Sequence, residues 1–190
     1  MPTGARERLL VTADALFYAE GVRAVGVERI LGDSGVGRAS FYRHFPGKED
    51  LVMAVLRRRD QAWRAWLAER VNALGGEALN VFDALAEWFA RADFHGCAFI
   101  NAMVEATPGS AAHQLAVTHK ERVTSYVTRL LAESGHPDEE RLACQIVLLM
   151  DGAMVTAMHD RTARPAHRAR AVAAALLDRP PRRRGSSTLA

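Results

Sequence analysis

The sequence predicts an all-α protein, with a small three-helix N-terminal domain ahead of a larger helical one. Three observations carry this. Alternating β-branched segments are absent, while Ala, Leu, Arg and Glu dominate as they do in helices. Apolar residues recur at helical spacing in one segment after another. Nearly every such segment is closed by Gly or Pro, the residues that end helices.

Taken in order, "ARERLLVTADALFYAEG" carries Leu9, Ala13, Leu16 and Phe17 at i, i+4, i+7 and i+8, and Gly21 stops it. "VERILGDSG" is a shorter helix, with Val27, Ile30 and Leu31 inward and Gly35 as the break. "RASFYRHF" places Phe41 and Phe45 one turn apart on a buried face, and Pro46-Gly47 ends it. From Lys48 the segments lengthen. "KEDLVMAVLRRRDQAWRAWLAERVNAL" runs to Gly75-Gly76 and "EALNVFDALAEWFARADF" follows. "CAFINAMVEA" is cut at Pro108-Gly109, and "SAAHQLAVTHKERVTSYVTRLLAES" ends at Gly135. "DEERLACQIVLLMDGAMVTAMHD" and "PAHRARAVAAALLDR" complete about nine helices. The final "PPRRRGSSTLA" has no apolar periodicity and reads as disordered.

Composition narrows the class. Of 190 residues 49% are hydrophobic and 25% charged, which is globular rather than disordered. No apolar run approaches the roughly 20 residues of a membrane span. "MPTGARERLL" offers no signal-peptide core. Cys97 and Cys144 form neither a disulfide framework nor a zinc spacing. The expected location is the cytoplasm.

The net charge is only +3, but it is unevenly placed. Between Gly35 and Lys48 there are three Lys/Arg and no acid, and from Arg179 onward four arginines and no acid. Residues 61–178 hold eleven basic against fourteen acidic residues. A local patch without acids can bind a polyanion even when net charge is small.

The patch coincides with a motif. Two short helices joined by the tight "DSGVGR" connection make a helix-turn-helix pattern. The first helix crosses the DNA backbone, the second enters the major groove, and the turn fixes the angle between them. Phe41 and Phe45 anchor the second helix. Arg38, Ala39, Ser40, Tyr42, Arg43 and His44 are left for open faces, residues a groove can use and a core cannot.

"VERILGDSGVGRASFYRHFPGKEDLV", with Phe17 and Gly21 before it, resembles the signature of the TetR family of bacterial transcriptional regulators over about residues 6–55. Two positions depart from it: Ser34 stands where the family usually has Ala, and Gly37 where it usually has a capping Ser. The resemblance implies that Tyr42, His44 and Lys48 hold phosphates, while Arg38, Ala39, Ser40 and Arg43 face base edges. The chemistry agrees, since Arg pairs in bidentate fashion with guanine and phosphate contacts set register rather than sequence.

The rest of the chain resembles the family less specifically, through "GCAFINAMVEA" and "HKERVTSYVTRLL". In that family the body binds a small effector, and the last two long helices pair with a second subunit. The division implied is a DNA-binding domain at 1–47, an effector-binding and dimerisation domain at 48–179, and a basic tail at 180–190. "ERLACQIVLLMDGAMVTAM" is apolar nearly all round and must be covered on several sides. Gly152 and Ala153 in that helix, with Ala173 and Leu176 in the last, are the expected subunit interface; an internal core helix is the alternative. The expected partner is palindromic operator DNA, bound as a homodimer.

An effector cavity needs large, adaptable apolar residues. Trp63, Trp66, Trp88, Phe89, Phe99, Met103, Tyr126, Met150 and Met154 are the candidates, and three or four of them are expected to touch a small, mostly apolar ligand. Asn101 reads as a turn contact. Cys97, following His95-Gly96 at a helix start, is a candidate reactive thiol, because a helix N-terminus lowers a thiol pKa; a small buried residue is the plainer reading. Cys144, mid-helix in an apolar run, reads as inert. His113 and His119 are six apart and share no helical face, so no metal site and no cofactor are expected. No nucleophile elbow, phosphate loop or paired metal ligands argue for a catalyst. The leading expectation is a ligand-responsive repressor that is not an enzyme. A thiol-sensing repressor working through Cys97, a DNA-binding factor without an effector and an all-helical enzyme remain as alternatives.

Overall fold

The computed structural model describes residues 4–178; the basic tail expected at 180–190 lies outside the described residues. Nine α-helices make up the described chain: α1 Ala5–Glu20, α2 Val27–Ser34, α3 Arg38–His44, α4 Lys48–Ala73, α5 Asn80–Phe89, α6 Ala98–Glu105, α7 Ala111–Glu133, α8 Glu139–Asp160 and α9 Arg164–Leu177. There is no strand among the described residues. Eight follow the expected segments closely, while α5 is shorter at both ends. Asn80 Oδ1 accepts the Glu77 N–H at 2.9 Å, which fixes a turn before the helix, and beyond Ala90 an Arg91–Asp93 ion pair lies in the next turn.

The described chain packs as two compact units. One holds the residues up to Glu69 with Arg91–Arg122, the other Arg70–Ala90 with the residues from Val123. This packing division does not coincide with the domain boundary expected at residue 47, because α4 up to Glu69 packs with the head.

In the first unit, α1 buries Leu9, Leu10, Ala13 and Phe17. Gly21 closes it at φ +89°, donating its N–H to the Phe17 carbonyl at 3.1 Å. Ile30 carries the buried face of α2, whereas Leu31, expected inward, is only half-buried. Gly35 turns the chain at φ +62°. Beside it the buried Ser34 hydroxyl accepts the Val36 N–H at 3.3 Å and donates to the Leu31 carbonyl at 3.4 Å. The Ser that departs from the family pattern therefore braces the turn. Arg59 on α4 forks onto Asp14 of α1 at 2.7 and 2.9 Å, with its guanidinium 4.0 Å from the centre of the Tyr18 ring. That bidentate, stacked geometry suits Arg and not Lys.

In the second unit, α5, α8 and α9 pack on one another. Val81, Phe82, Leu85 and Phe89 of α5 are buried, as are Ile146, Met150 and Met154 of α8. Arg170 of α9 donates to Asp83 of α5 at 3.1 Å. By length and composition α8 could cross a membrane, with a mean hydropathy of 1.5 over its most apolar window, but 44% of that window is buried here against protein. Its opposite side carries Cys144, Leu148, Gly152 and Val155, all exposed, with Leu148 at 73%.

Candidate functional site

The outward face of α3 is built from its anchor. Phe41 is fully buried and Phe45 nearly so, their ring centroids 6.1 Å apart. With one face of a seven-residue helix fixed inward, Ala39, Tyr42, Arg43 and His44 stand exposed, while Ser40 and Lys48 are half-buried. Gly37 caps the helix with its carbonyl alone, which accepts the Phe41 N–H at 3.0 Å; no side chain caps it. The side chains of Tyr42, Arg43, His44 and Lys48 make no hydrogen bond or ion pair among the described residues. Arg38 differs, since its Nη2 donates to Glu28 Oε1 of α2 at 2.6 Å, in the open. An exposed pair of that kind contributes little to stability, so the guanidinium is positioned rather than sequestered. Four donors in one short acid-free helix and the start of the next make a surface for a phosphate backbone and a groove.

The head is fastened to α6 by a contact that sequence reasoning missed. Glu105 Oε2 accepts the Arg23 N–H at 2.6 Å and Oε1 accepts the Val22 N–H at 3.2 Å. A Cβ on Gly21 would fall 2.8 Å from Glu105 Oε1, so the approach needs glycine both for its φ and for its bulk. Nothing in the local pattern announces this, because the partners are more than 80 residues apart.

A second cluster lies between α4 and α7. The Asp60 side chain is 1% exposed and accepts four hydrogen bonds. Arg64 gives two (2.8 and 3.0 Å), Arg122 one (2.6 Å) and His119 Nδ1 one (2.8 Å). Burial pushes the carboxyl up, but these donors outweigh it and hold the pKa at about 2. Burial pushes the His119 imidazole down, and Asp60 only partly offsets that, leaving it at about 4. Phe99 stacks on the imidazole at 3.8 Å with the planes 11° apart, and Trp63 tilts against it at 5.4 Å. Two of the expected cavity residues, Trp63 and Phe99, are thus brought together on a histidine that sequence spacing discarded.

The other candidates divide. Met103 lies in the first unit; Trp88, Phe89, Tyr126, Met150 and Met154 lie in the second. None of the nine candidates lines either of two clefts in the first unit, the larger of about 370 Å³ beside Lys48 and Glu105. Asn101 Nδ2 donates to the His95 carbonyl at 3.0 Å and holds the turn before α6. Cys97 is the N-cap of α6 and is buried. Cys144, mid-helix in an apolar run, is exposed on the open side of α8. For the interface, Gly152 is exposed and Leu176 half-buried, but Ala153 and Ala173 are buried within this chain. A residue packed inside its own unit offers little surface to a partner. The exposed apolar positions are Leu148 and Val155 of α8 and Val172 of α9. No group of three or more potential metal ligands occurs among the described residues.

This geometry defines a helix-turn-helix module, with a buried aromatic anchor and a cationic outer face. A model for bacterial regulatory proteins of the tetR family matches residues 9–55. Across 91% of this chain and 94% of its own, the crystal structure of the TetR-family regulator SCO4454 from Streptomyces coelicolor is similar at TM-score 0.81 and 34% identity. A putative TetR regulator from Streptomyces avermitilis (sav143) is similar at TM-score 0.77 and 26% identity, over 94% of this chain and 100% of that one. An uncharacterised helix-turn-helix regulator of Lactococcus lactis is 21% identical over 53% of this chain, which spans about half (54%) of that relative. The chain belongs to the TetR family of transcriptional regulators, DNA-binding proteins rather than enzymes.

Proposed function

We propose that the chain is an effector-responsive repressor that binds palindromic operator DNA as a homodimer in the cytoplasm. The single observation that carries this is the outer face of α3, where Arg43 and His44 stand exposed without partners above a fully buried Phe41. Arg38, Ala39, Ser40 and Arg43 take the base edges; Tyr42, His44 and Lys48 take the phosphates. The functional division at 1–47 and 48–179 belongs to this reading, as does dimerisation through the open side of α8 and α9.

The effector link runs along α4. That helix starts at Lys48, a phosphate contact, and three turns later carries Asp60 and Trp63. A ligand that shifts α4 against α7 moves the head with it. Two recognition helices read successive major grooves only when about 34–36 Å apart, so a small tilt suffices. The ligand needs only a differential affinity for the two forms, with a coupling of about 1–3 kcal/mol. Cys97 supports no separate thiol-sensing reading, since its burial screens it from an oxidant.

The test is a gel shift with the full chain and the DNA upstream of its own coding region, with and without candidate effectors. A discrete complex that competitor DNA does not remove and a small molecule does is the expected result. Equal binding to random DNA, unmoved by any ligand, would overturn it.

A further inference from the structure

The larger cleft of the first unit lies between α4, the end of α6 and the start of α7, against the turn after α1. Its volume of about 370 Å³ falls within the range of sites that hold small molecules. Val22, Val52, Met53, Ala102 and Ala106 form an aliphatic wall, and no aromatic ring lines it. Such a wall suits an alkyl chain rather than a flat ring, and the alanines keep the space open. The smaller cleft shares Val22, Val52, Ala102 and Glu105, so the wall continues between α1, α4 and α6. Four charged residues also line the larger cleft: Arg23, Lys48, Glu49 and Glu105. Both Glu105 oxygens are committed, one to the Val22 N–H and one to the Arg23 N–H. Arg23 and Glu49 are exposed and keep their hydration. Lys48 is half-buried, and its side chain has no partner among the described residues. A partly desolvated ammonium beside an apolar cleft is stabilised by an anion that brings its own apolar chain.

We propose that this cleft binds an amphiphilic monoanion, an alkyl carboxylate of medium length, with its carboxylate on Lys48 and its chain along Val52 and Ala102. Resting on the effector-responsive reading above, this names the seat and the chemical class of the effector. The seat differs from the one the aromatic candidates suggest, since none of them lines the cleft. The ammonium that pairs with the ligand is the one assigned to a DNA phosphate, so ligand and operator compete for a single charge. The ligand also lies between α4 and α7, where it shifts one against the other.

The experiment titrates the full chain without DNA with octanoate, 1-octanol and acetate, read by calorimetry. Octanoate carries chain and charge, octanol the chain alone and acetate the charge alone. The wild type is expected to bind octanoate about tenfold more tightly than either, the scale of one charge-assisted hydrogen bond. Lys48→Gln removes the charge and is expected to bind octanoate and octanol alike. Ala106→Trp and Met53→Trp fill the cleft and are expected to lose octanoate by about tenfold or more. Saturating operator should weaken octanoate by the factor by which octanoate weakens operator binding. Thermal melting checks that each variant is folded; if neither tryptophan variant is, the Lys48→Gln comparison decides alone. The proposal is overturned if the wild type binds octanol as tightly as octanoate, or binds neither. It is equally overturned if Lys48→Gln keeps the preference, if a folded tryptophan variant keeps full octanoate affinity, or if operator leaves that affinity unchanged. Operator binding is measured separately, so a chain that grips its operator yet ignores octanoate refutes this proposal and leaves the regulator reading standing.

Discussion

Arg43 and Lys48 lie close in sequence yet are expected to fail differently when truncated. Arg43 is exposed on α3 and is assigned to base edges in the proposed reading, so Arg43→Ala should cost about 1–3 kcal/mol and relax preference at one base pair in each half-site. Lys48 is assigned to phosphate in the same reading, so Lys48→Ala should weaken all sequences alike and flatten the dependence of affinity on salt. Titrations of specific and random duplexes at several salt concentrations separate the two. Equal losses on both DNAs for both variants would contradict the division of roles. The buried pair gives a second prediction, for stability against pH. His119 titrates at about 4 in the fold against an ordinary 6.5, so the unfolded chain takes up the proton first and stability is lost as pH falls from 6.5 to 4. Asp60, held at about 2 against 3.8, adds its own loss below pH 3.8. Urea midpoints should therefore begin to fall at mildly acidic pH, and His119→Phe should flatten the curve between 6.5 and 4. None of this is legible in the sequence. Asp60 with Arg64, and His119 with Arg122, are ordinary neighbours on their own helices, and only folding brings α4 and α7 together.

At the scale of elements, α3 is legible because its signals agree: two phenylalanines one turn apart, a glycine turn before and Pro-Gly after. The orientation of α8 is not. A helix apolar nearly all round has no periodicity to say which side faces its own core, and Ala153 falls on the inner side while Gly152 falls on the outer. The distinction is testable. Val155→Arg places a charge on the open side, and should leave the monomer folded while shifting the protein from dimer toward monomer by light scattering. Ala153→Arg buries an unpaired charge inside the unit and should destabilise the chain by several kcal/mol. A Val155→Arg protein that stays fully dimeric at micromolar concentration would move the interface elsewhere. The link between α1 and α6 makes a similar demand on one glycine. Gly21→Ala must hold φ +89° and displace Glu105, with an expected cost of about 1–3 kcal/mol by denaturant titration.

On the scale of the whole molecule, a two-helix motif reads too few base pairs to find a site alone. A two-fold dimer doubles the contact and turns the spacing of the two heads into part of the recognition. The same spacing makes the regulator switchable, since an effector that alters it weakens both half-sites together. The most direct measurement is selection of duplexes from a random pool by the full chain, followed by sequencing. The predicted result is an inverted repeat with half-site centres about 10–10.5 base pairs apart, or a multiple of that, enriched by the wild type and blurred at one position per half-site by Arg43→Ala. Absence of enrichment, or an asymmetric motif that Arg43→Ala leaves unchanged, would contradict it.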